Sequence, residues 1–296
     1  MTNLLPRQTT LAGLALTIAA AGLLVLALGA SRSGAIAAGA RNAAVGEARQ
    51  AQLTVTLPPA VTDRIYAAPS ARGRPIVVID AGHGGRDPGA TSVSGEVAEK
   101  DLTLELAREL RDRLVERGRV RVAMSRDNDR YLTLQDRADV ARRLGAAMFV
   151  SLHMDSAPNP LARGASVYSL SDVASDAEAA RFAAVENAGA AVGEGGGAVE
   201  MLLADLAMRA QMSASADLAS RLVRKSAGRF ELRPNPHRFA AFHVLRRART
   251  PSVLFEAGYI SNADDELLLG DPKHRSAIAL ALAQAIEADV ASRLRR

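Results

Sequence analysis

Residues 76–90 read IVVIDAGHGGRDPGA. The first five, dense in β-branched side chains, predict a strand buried on both faces, as a parallel sheet requires. A glycine-rich loop follows, and in an open α/β sheet the loops at the carboxyl ends of the strands are where ligands bind. Downstream, DLTLELARELRDRLVERG spaces Leu102, Leu106, Leu110 and Leu114 four residues apart, which predicts a helix that stops at Gly118. VRVAMS, residues 120–125, reads as a second strand, and a second helix is expected from about Leu134 to Leu144 behind Thr133, which can cap it. MFVSLH, residues 148–153, is a third buried strand. Strand, helix, strand, helix, strand is the signature of an α/β fold with helices on the faces of its sheet.

The pattern changes between Leu170 and about Pro234. That stretch is rich in Ala, reads as helical, is interrupted by GEGGG at 193–197, and offers no strand, so a helical insertion is expected at about 171–234. HVL at 243–245 and SVLFEAG at 252–258 restore the α/β pattern, and a helix from about Lys273 to Leu294 ends it.

Residues 11–30, LAGLALTIAAAGLLVLALGA, contain a single polar side chain, Thr17. Small-residue sites suited to a signal peptidase follow at 35–37 and 38–40, so residues 1–40 are expected to be a signal peptide or a retained membrane anchor. Either reading places the rest of the chain outside the cytoplasm, in a periplasm and, if the anchor is kept, on the inner membrane. Residues 41–74 read as a polar linker and 75–296 as the ordered domain.

Composition narrows the chemistry. The 296 residues are 48% hydrophobic and 23% charged, an ordinary globular balance. No Cys is present, which excludes disulfide scaffolds, thiolate metal sites and cysteine nucleophiles, and leaves His, Asp and Glu to hold any metal. Aromatics are only 3%, with no Trp, too few for a platform that stacks single-stranded nucleic acid. The net charge of +5 favours an anionic polymer or lipid surface without choosing among them. Export argues against nucleic acid as the partner.

Three strand ends carry acid/base or metal-capable residues: His83 beyond the first, His153 at the end of the third, and Glu256 on the last. Two neutral imidazoles need a third ligand to hold Zn²⁺, and hydrolases often use a carboxylate there, keeping the fourth position for water. Glu96 and Glu99 both lie where the chain turns from the glycine loop into the first helix, and spacing alone does not choose between them.

The strings VVIDAGHGGRDPGA, AEKDLTLELA, FVSLHMDSAPN and PSVLFEAGYISNADDE, in that order, resemble the zinc-dependent N-acetylmuramoyl-L-alanine amidases, peptidoglycan amidases that split daughter cells. The likeness covers roughly 75–296 apart from the insertion. It implies that His83, Glu99 and His153 are zinc ligands, that Glu256 is the catalytic carboxylate, and that a mixed sheet of about six strands lies between helices. It implies hydrolysis of the amide between the lactyl group of muramic acid and L-alanine. Met154 departs from the small residue usual after the second histidine, a change that bears on the cleft floor.

Longer members of the family carry a helical segment that covers the zinc until a protein activator moves it. The insertion is similar in length and character, and Glu186 is the candidate to occupy the zinc's open position, ahead of Glu194 and Glu200, with GEGGG as a hinge. Arg126, Asp127 and Arg137 read as ion-pair ties between loops, and His237, His243 and His274 as structural or solvated. Two alternatives stand beside the amidase: another exported zinc hydrolase, such as a peptidase or polysaccharide deacetylase, or a wall-binding protein without catalysis.

Overall fold

The β-branched runs and leucine stripes organise into seven strands and seven helices in a computed structural model that describes residues 63–188 and 198–295. In chain order these are β1 (Ile65–Tyr66), β2 (Ile76–Ala81), α1 (Glu99–Arg117), β3 (Arg121–Met124), α2 (Leu134–Arg143), β4 (Met148–Asp155) and β5 (Ala165–Leu170). There follow α3 (Ala177–Glu186), α4 (Ala198–Ser226), β6 (Leu232–Ala240), α5 (His243–Ala248), β7 (Ser252–Tyr259), α6 (Ala263–Gly270) and α7 (Pro272–Arg293). They build one mixed, mostly parallel sheet in the order β1-β3-β2-β4-β7-β5-β6. Pairing is parallel along β3, β2, β4 and β7 and between β5 and β6; β1 on β3 and β5 on β7 are antiparallel.

Every residue of β2, β4 and β7 is buried, as expected for strands covered on both faces. One face is packed by α1, α4 and α7, the other by α2, α3 and α5. Leu106, Leu110 and Leu114 have no exposed surface, and truncating a leucine so placed costs about 2–5 kcal/mol. The α1 helix has no side-chain N-cap; instead Glu99 donates its backbone N–H to the Ala90 carbonyl at 2.9 Å, which fixes the first turn beside the loop after β2. Gly118, with φ of 63°, ends the helix in the left-handed conformation. In α2, Thr133 and Asp136 form a capping box.

The sheet has seven strands where about six were expected. Two of them, β5 and β6, are not separated by the sequence pattern. β6 contains Pro234 and Pro236, which argue against a strand in the sheet interior, and the sheet accommodates them at its edge, where ladder donors are dispensable. The reading of 243–245 as a strand is corrected: these residues open α5, whose Val244, Leu245 and Ala248 recur at helical spacing and are buried. Ile65–Tyr66, inside the expected linker, pairs with β3 as the opposite edge. Residues 1–62, which include the whole of the 1–40 segment, and the GEGGG run with Glu194 lie outside the described residues; of Glu200 only the backbone is described.

Candidate active site

The site is built at the carboxyl ends of β2, β4 and β7. β2 ends in Asp80 and Ala81, and the chain then turns sharply, with His83 at φ of 58° and Gly84, Gly85 and Gly89 also at positive φ. A non-glycine residue in this region is strained by about 1–3 kcal/mol, and such strain persists where the surroundings over-determine it. Here two arginines do so. Arg126 donates to the Ala81 and Gly82 carbonyls at 2.9 and 2.8 Å, and Arg137 to those of Ala81 and His83, both at 2.6 Å. Both arginines are therefore loop ties, but only Arg137 does this partly through an ion pair, with Asp80; Arg126 binds carbonyl oxygens, and Asp127 accepts from the Tyr66 hydroxyl instead.

Asp80, which the sequence reading did not single out, completes this frame. It is fully buried and accepts from Ser125 Oγ at 2.6 Å, Ser151 Oγ at 2.7 Å and Arg137 at 2.9 Å. Burial alone would raise its pKa, but the Arg137 charge and the two hydroxyls hold it below the ordinary carboxylate range. An Asp in an otherwise apolar strand was the signal available.

Glu99, at the first turn of α1, reaches between the histidines. Its Oε2 lies 3.1 Å from His83 Nε2 and its Oε1 3.1 Å from His153 Nδ1. Backbone N–H groups of Ala90 and Met154 donate to the same two oxygens at 2.9 and 3.0 Å, which fixes the carboxylate's orientation. Glu96, the alternative, sits on an exposed turn against Ser94. The two imidazoles lie 5.0 Å apart, nearly perpendicular. Gly82 and Gly89 leave the room for them: a Cβ on Gly82 would stand 2.5 Å from the His153 ring, and one on Gly89 2.6 Å from Glu99 Oε2.

Glu186, the last residue of α3, enters the same cluster. Its carboxylate lies 3.5 Å from His153 Nδ1 and 3.9 Å from His83 Nε2. His83, His153 and Glu186 each present a donor atom within 4.8 Å of the others. Asn187, the next residue, pins the helix end, donating to the Ala241 carbonyl and accepting from the His243 N–H, both at 2.7 Å.

This donor set suits Zn²⁺: two imidazoles, carboxylates, and no competing cationic side chain among the close partners. Two details of the site favour a cation there. His83 Nε2 is buried without a hydrogen bond, although it faces two carboxylates. Its other nitrogen, Nδ1, donates to Asp87 Oδ2 at 3.0 Å, the carboxylate–histidine arrangement that orients a metal-binding imidazole. Burial opposes charge on His83, but Glu99, Glu186 and Asp87 together lift its pKa to about 10. In a site of this polarity a proton or a metal ion is drawn to the same place.

Glu256 stands directly opposite His153 in the β4–β7 pairing. It is fully buried and neither carboxylate oxygen has a hydrogen-bond partner. Burial, reinforced by Asp155, Glu99 and Glu186, raises its pKa well above the usual value. Such a carboxyl is equipped to hold and hand on a proton. Asp155, also missed in the sequence, is raised to about 6 by burial, partly offset by Tyr259 and the Ser156 N–H. A cavity of about 660 Å³ opens over the cluster, lined among others by His83, Glu99, His153, Asp155 and, from α3, Arg181 and Glu186. His237 bonds Ser169 Oγ at 2.9 Å and His274 packs on Phe230, and neither lines this cavity.

Comparison with known proteins adds an independent line. The sequence profile described as N-acetylmuramoyl-L-alanine amidase matches residues 77–288. The chain is 33% identical over 234 residues to N-acetylmuramoyl-L-alanine amidase AmiA of Escherichia coli (strain K12), covering 76% of this chain and 80% of that protein. It is 36% identical over 220 residues to N-acetylmuramoyl-L-alanine amidase AmiC of Neisseria meningitidis serogroup B, covering 72% of this chain and 52% of that one. Among solved structures, the catalytic domain of the amidase CwlV from Bacillus (Paenibacillus) polymyxa var. colistinus aligns with a TM-score of 0.52 at 27% identity, covering 72% of this chain and 96% of its own. The amidase AmiC2 of Nostoc punctiforme aligns at 0.53 and 26%, with 76% and 99% covered. The α/β sheet, the glycine loop and the His–Glu–His cluster thus sit in a chain that belongs to the N-acetylmuramoyl-L-alanine amidases, the hydrolases that cut the sugar–peptide amide of peptidoglycan.

Proposed function

We propose that this protein is a zinc-dependent amidase that separates L-alanine from N-acetylmuramic acid, and that its own helix α3 holds it inactive until a protein activator draws the helix away. The observation that carries the reading is the cluster in which His83 Nε2, His153 Nδ1 and both oxygens of Glu99 face one another within 3.1 Å contacts, with Glu186 against both rings. In this reading His83, Glu99 and His153 hold the zinc and Asp87 orients His83. Held by these residues, a zinc ion would supply Lewis-acid polarisation of the amide carbonyl and would acidify water.

The remaining work falls to the chain's own groups. Glu256 has two unpaired oxygens, and a cation at the neighbouring cluster offsets the repulsion it feels from Glu99, so its carboxylate can accept a proton from water. It then delivers that proton to the departing amine nitrogen of L-alanine. Arg126 and Arg137 keep His83 in its strained conformation throughout. Glu186 takes the place that water and the substrate carbonyl need, which accounts for a buried carboxylate at the tip of an inserted helix.

Export to the periplasm follows from the apolar stretch at 11–30, and a role in wall remodelling and daughter-cell separation follows from the family resemblance. Among the described residues no helix is long and apolar enough to cross a membrane. Metal analysis of the purified chain and fragment analysis of digested murein test the proposal together. One equivalent of zinc is expected in the unaltered chain, and from the Glu186→Ala chain, whose site is unblocked, free stem peptides beside intact glycan; shortened peptides or released acetate would reassign the chemistry.

A further inference from the structure

The first turns of α3 carry a second carboxylate contact that the proposed mechanism does not use. Glu178 accepts from both terminal nitrogens of Arg233 at 3.0 and 3.1 Å, from Arg238 at 3.2 Å and from the Tyr259 hydroxyl at 3.1 Å. Four donors converge on one carboxylate, two of them as a parallel fork from one guanidinium, the geometry that best recognises such a group. Arg238 also pairs with Asp176 at the start of α3, so both acidic partners of this buried arginine come from the inserted helix.

The donors, by contrast, all belong to the sheet: Arg233 and Arg238 on β6, Tyr259 on β7. Withdrawal of α3 would leave two cations in place with their carboxylates gone, Arg238 with a side chain only 7% exposed. The two guanidinium groups and the Tyr259 hydroxyl would then stand open to solvent as a ready-made set of donors for another carboxylate.

The receptor lies beside the amide-cutting site. Tyr259 pairs with Asp155, two residues beyond His153 on β4 and three beyond Glu256 on β7, across an irregularity in the pairing of these strands. A second cavity of about 660 Å³, lined by Arg163, Arg233 and Pro234, shares Glu178 and Arg181 with the cavity over the histidines. Among the described residues the side chains common to both walls, Glu178 and Arg181, belong to α3, which therefore stands between the two spaces. Glu178 and Glu186 are eight residues apart, about 12 Å along a helix axis. An extended peptide covers that span in about three to four residues.

We propose that Arg233, Arg238 and Tyr259 form a carboxylate receptor for the acidic stem peptide of the substrate, and that Glu178 occupies it as an intramolecular stand-in. Helix α3 then mimics the substrate at two points, with Glu186 at the metal cluster and Glu178 at the peptide end. This inference rests on the proposed amidase reading and on displacement of α3, and it assigns the side of the site to which the peptide runs.

The test uses the zinc-loaded full chain with Glu186→Ala, and muropeptides whose peptide carboxylates are either free or converted to carboxamides. The free acid should show a KM lower by about tenfold or more, with kcat little changed, and Arg233→Gln in the same background should erase that preference. Calorimetry with the released stem peptide, acid against amide, reads the same receptor without turnover. There Glu178→Gln, which leaves every receptor donor intact, should tighten binding of the acid form several-fold. Equal discrimination with and without Arg233, or acid-peptide affinity unmoved by Glu178→Gln, overturns the receptor. A Glu186→Ala chain that cleaves no muramoyl–alanine amide overturns the amidase reading instead, while the calorimetry still reports on Arg233.

Discussion

Single residues at this site act through what surrounds them. His83 occupies a strained backbone, and its ring is aimed by Asp87, so removing the aiming carboxylate should matter nearly as much as touching a ligand. Asp87→Asn is expected to weaken zinc affinity by about 10–100-fold, measured by competition with a chromogenic chelator, while circular dichroism stays unchanged. Asp80 gives a different expectation because it is a structural anion. Its pKa lies below the ordinary value of about 3.9, so its stabilisation is fully present above that value and is lost as pH falls through the lowered one. Asp80→Asn leaves Arg137 without its buried partner and should cost about 3–5 kcal/mol at neutral pH, with a shallower loss of stability on acidification, read by urea unfolding at several pH values. The histidines and Glu256 were legible because they fall at the ends of apolar strands, where a polar residue is conspicuous. Asp87 and Asp155 were not, because an aspartate beside glycines or after a strand is ordinary turn chemistry until its partner is seen.

Elements show where local pattern suffices and where the sheet overrides it. The α1 stripe and the runs of β2 and β4 are written in four-residue and β-branched spacing, and they form as read. β6 defies its two prolines because only an edge position tolerates them, and edge positions are assigned by the whole sheet. HVL at 243–245 satisfies a strand pattern too short to exclude a helix, and burial of Ala248 four residues after Val244 favours α5. Helix α3 is only ten residues long, with Ala179 and Ala183 buried and Phe182 packed on Tyr168 and Phe242. Helices shorter than about 12–15 residues are marginal in isolation, so its position depends on the contacts at its two ends. Asn187 supplies two of these at the end nearest His83 and His153. Asn187→Ala should therefore raise basal murein hydrolysis several-fold without activator, followed by dye release from labelled sacculi, whereas unaltered basal release would contradict displacement of α3 as the switch.

At the scale of the molecule, one sheet carries two sets of groups with different allegiances. His83, Glu99, His153 and Glu256 are fixed by β2, α1, β4 and β7, whereas Glu186 arrives on the insertion, which Arg233 and Arg238 hold to the sheet and Asn187 to the start of α5. Metal binding and helix closure are then linked: an ion that accepts Glu186 as a further ligand favours the closed helix, and the closed helix strengthens the hold on the ion. Linkage of this kind is visible in thermal stability, because a ligand at 100 times its Kd stabilises the native state by about 2.7 kcal/mol. For a unit of this size that corresponds to a Tm shift of about 5–10 °C. Chelation should lower the Tm of the unaltered chain by that order. In Glu186→Ala the shift on chelation should be smaller, because the three proposed ligands His83, Glu99 and His153 would still bind zinc but the helix would no longer contribute. Differential scanning calorimetry with and without chelator measures both shifts on one instrument. Equal shifts in the two proteins would mean that Glu186 does not reach the ion, and closure would have to be explained by the Glu178 contacts alone.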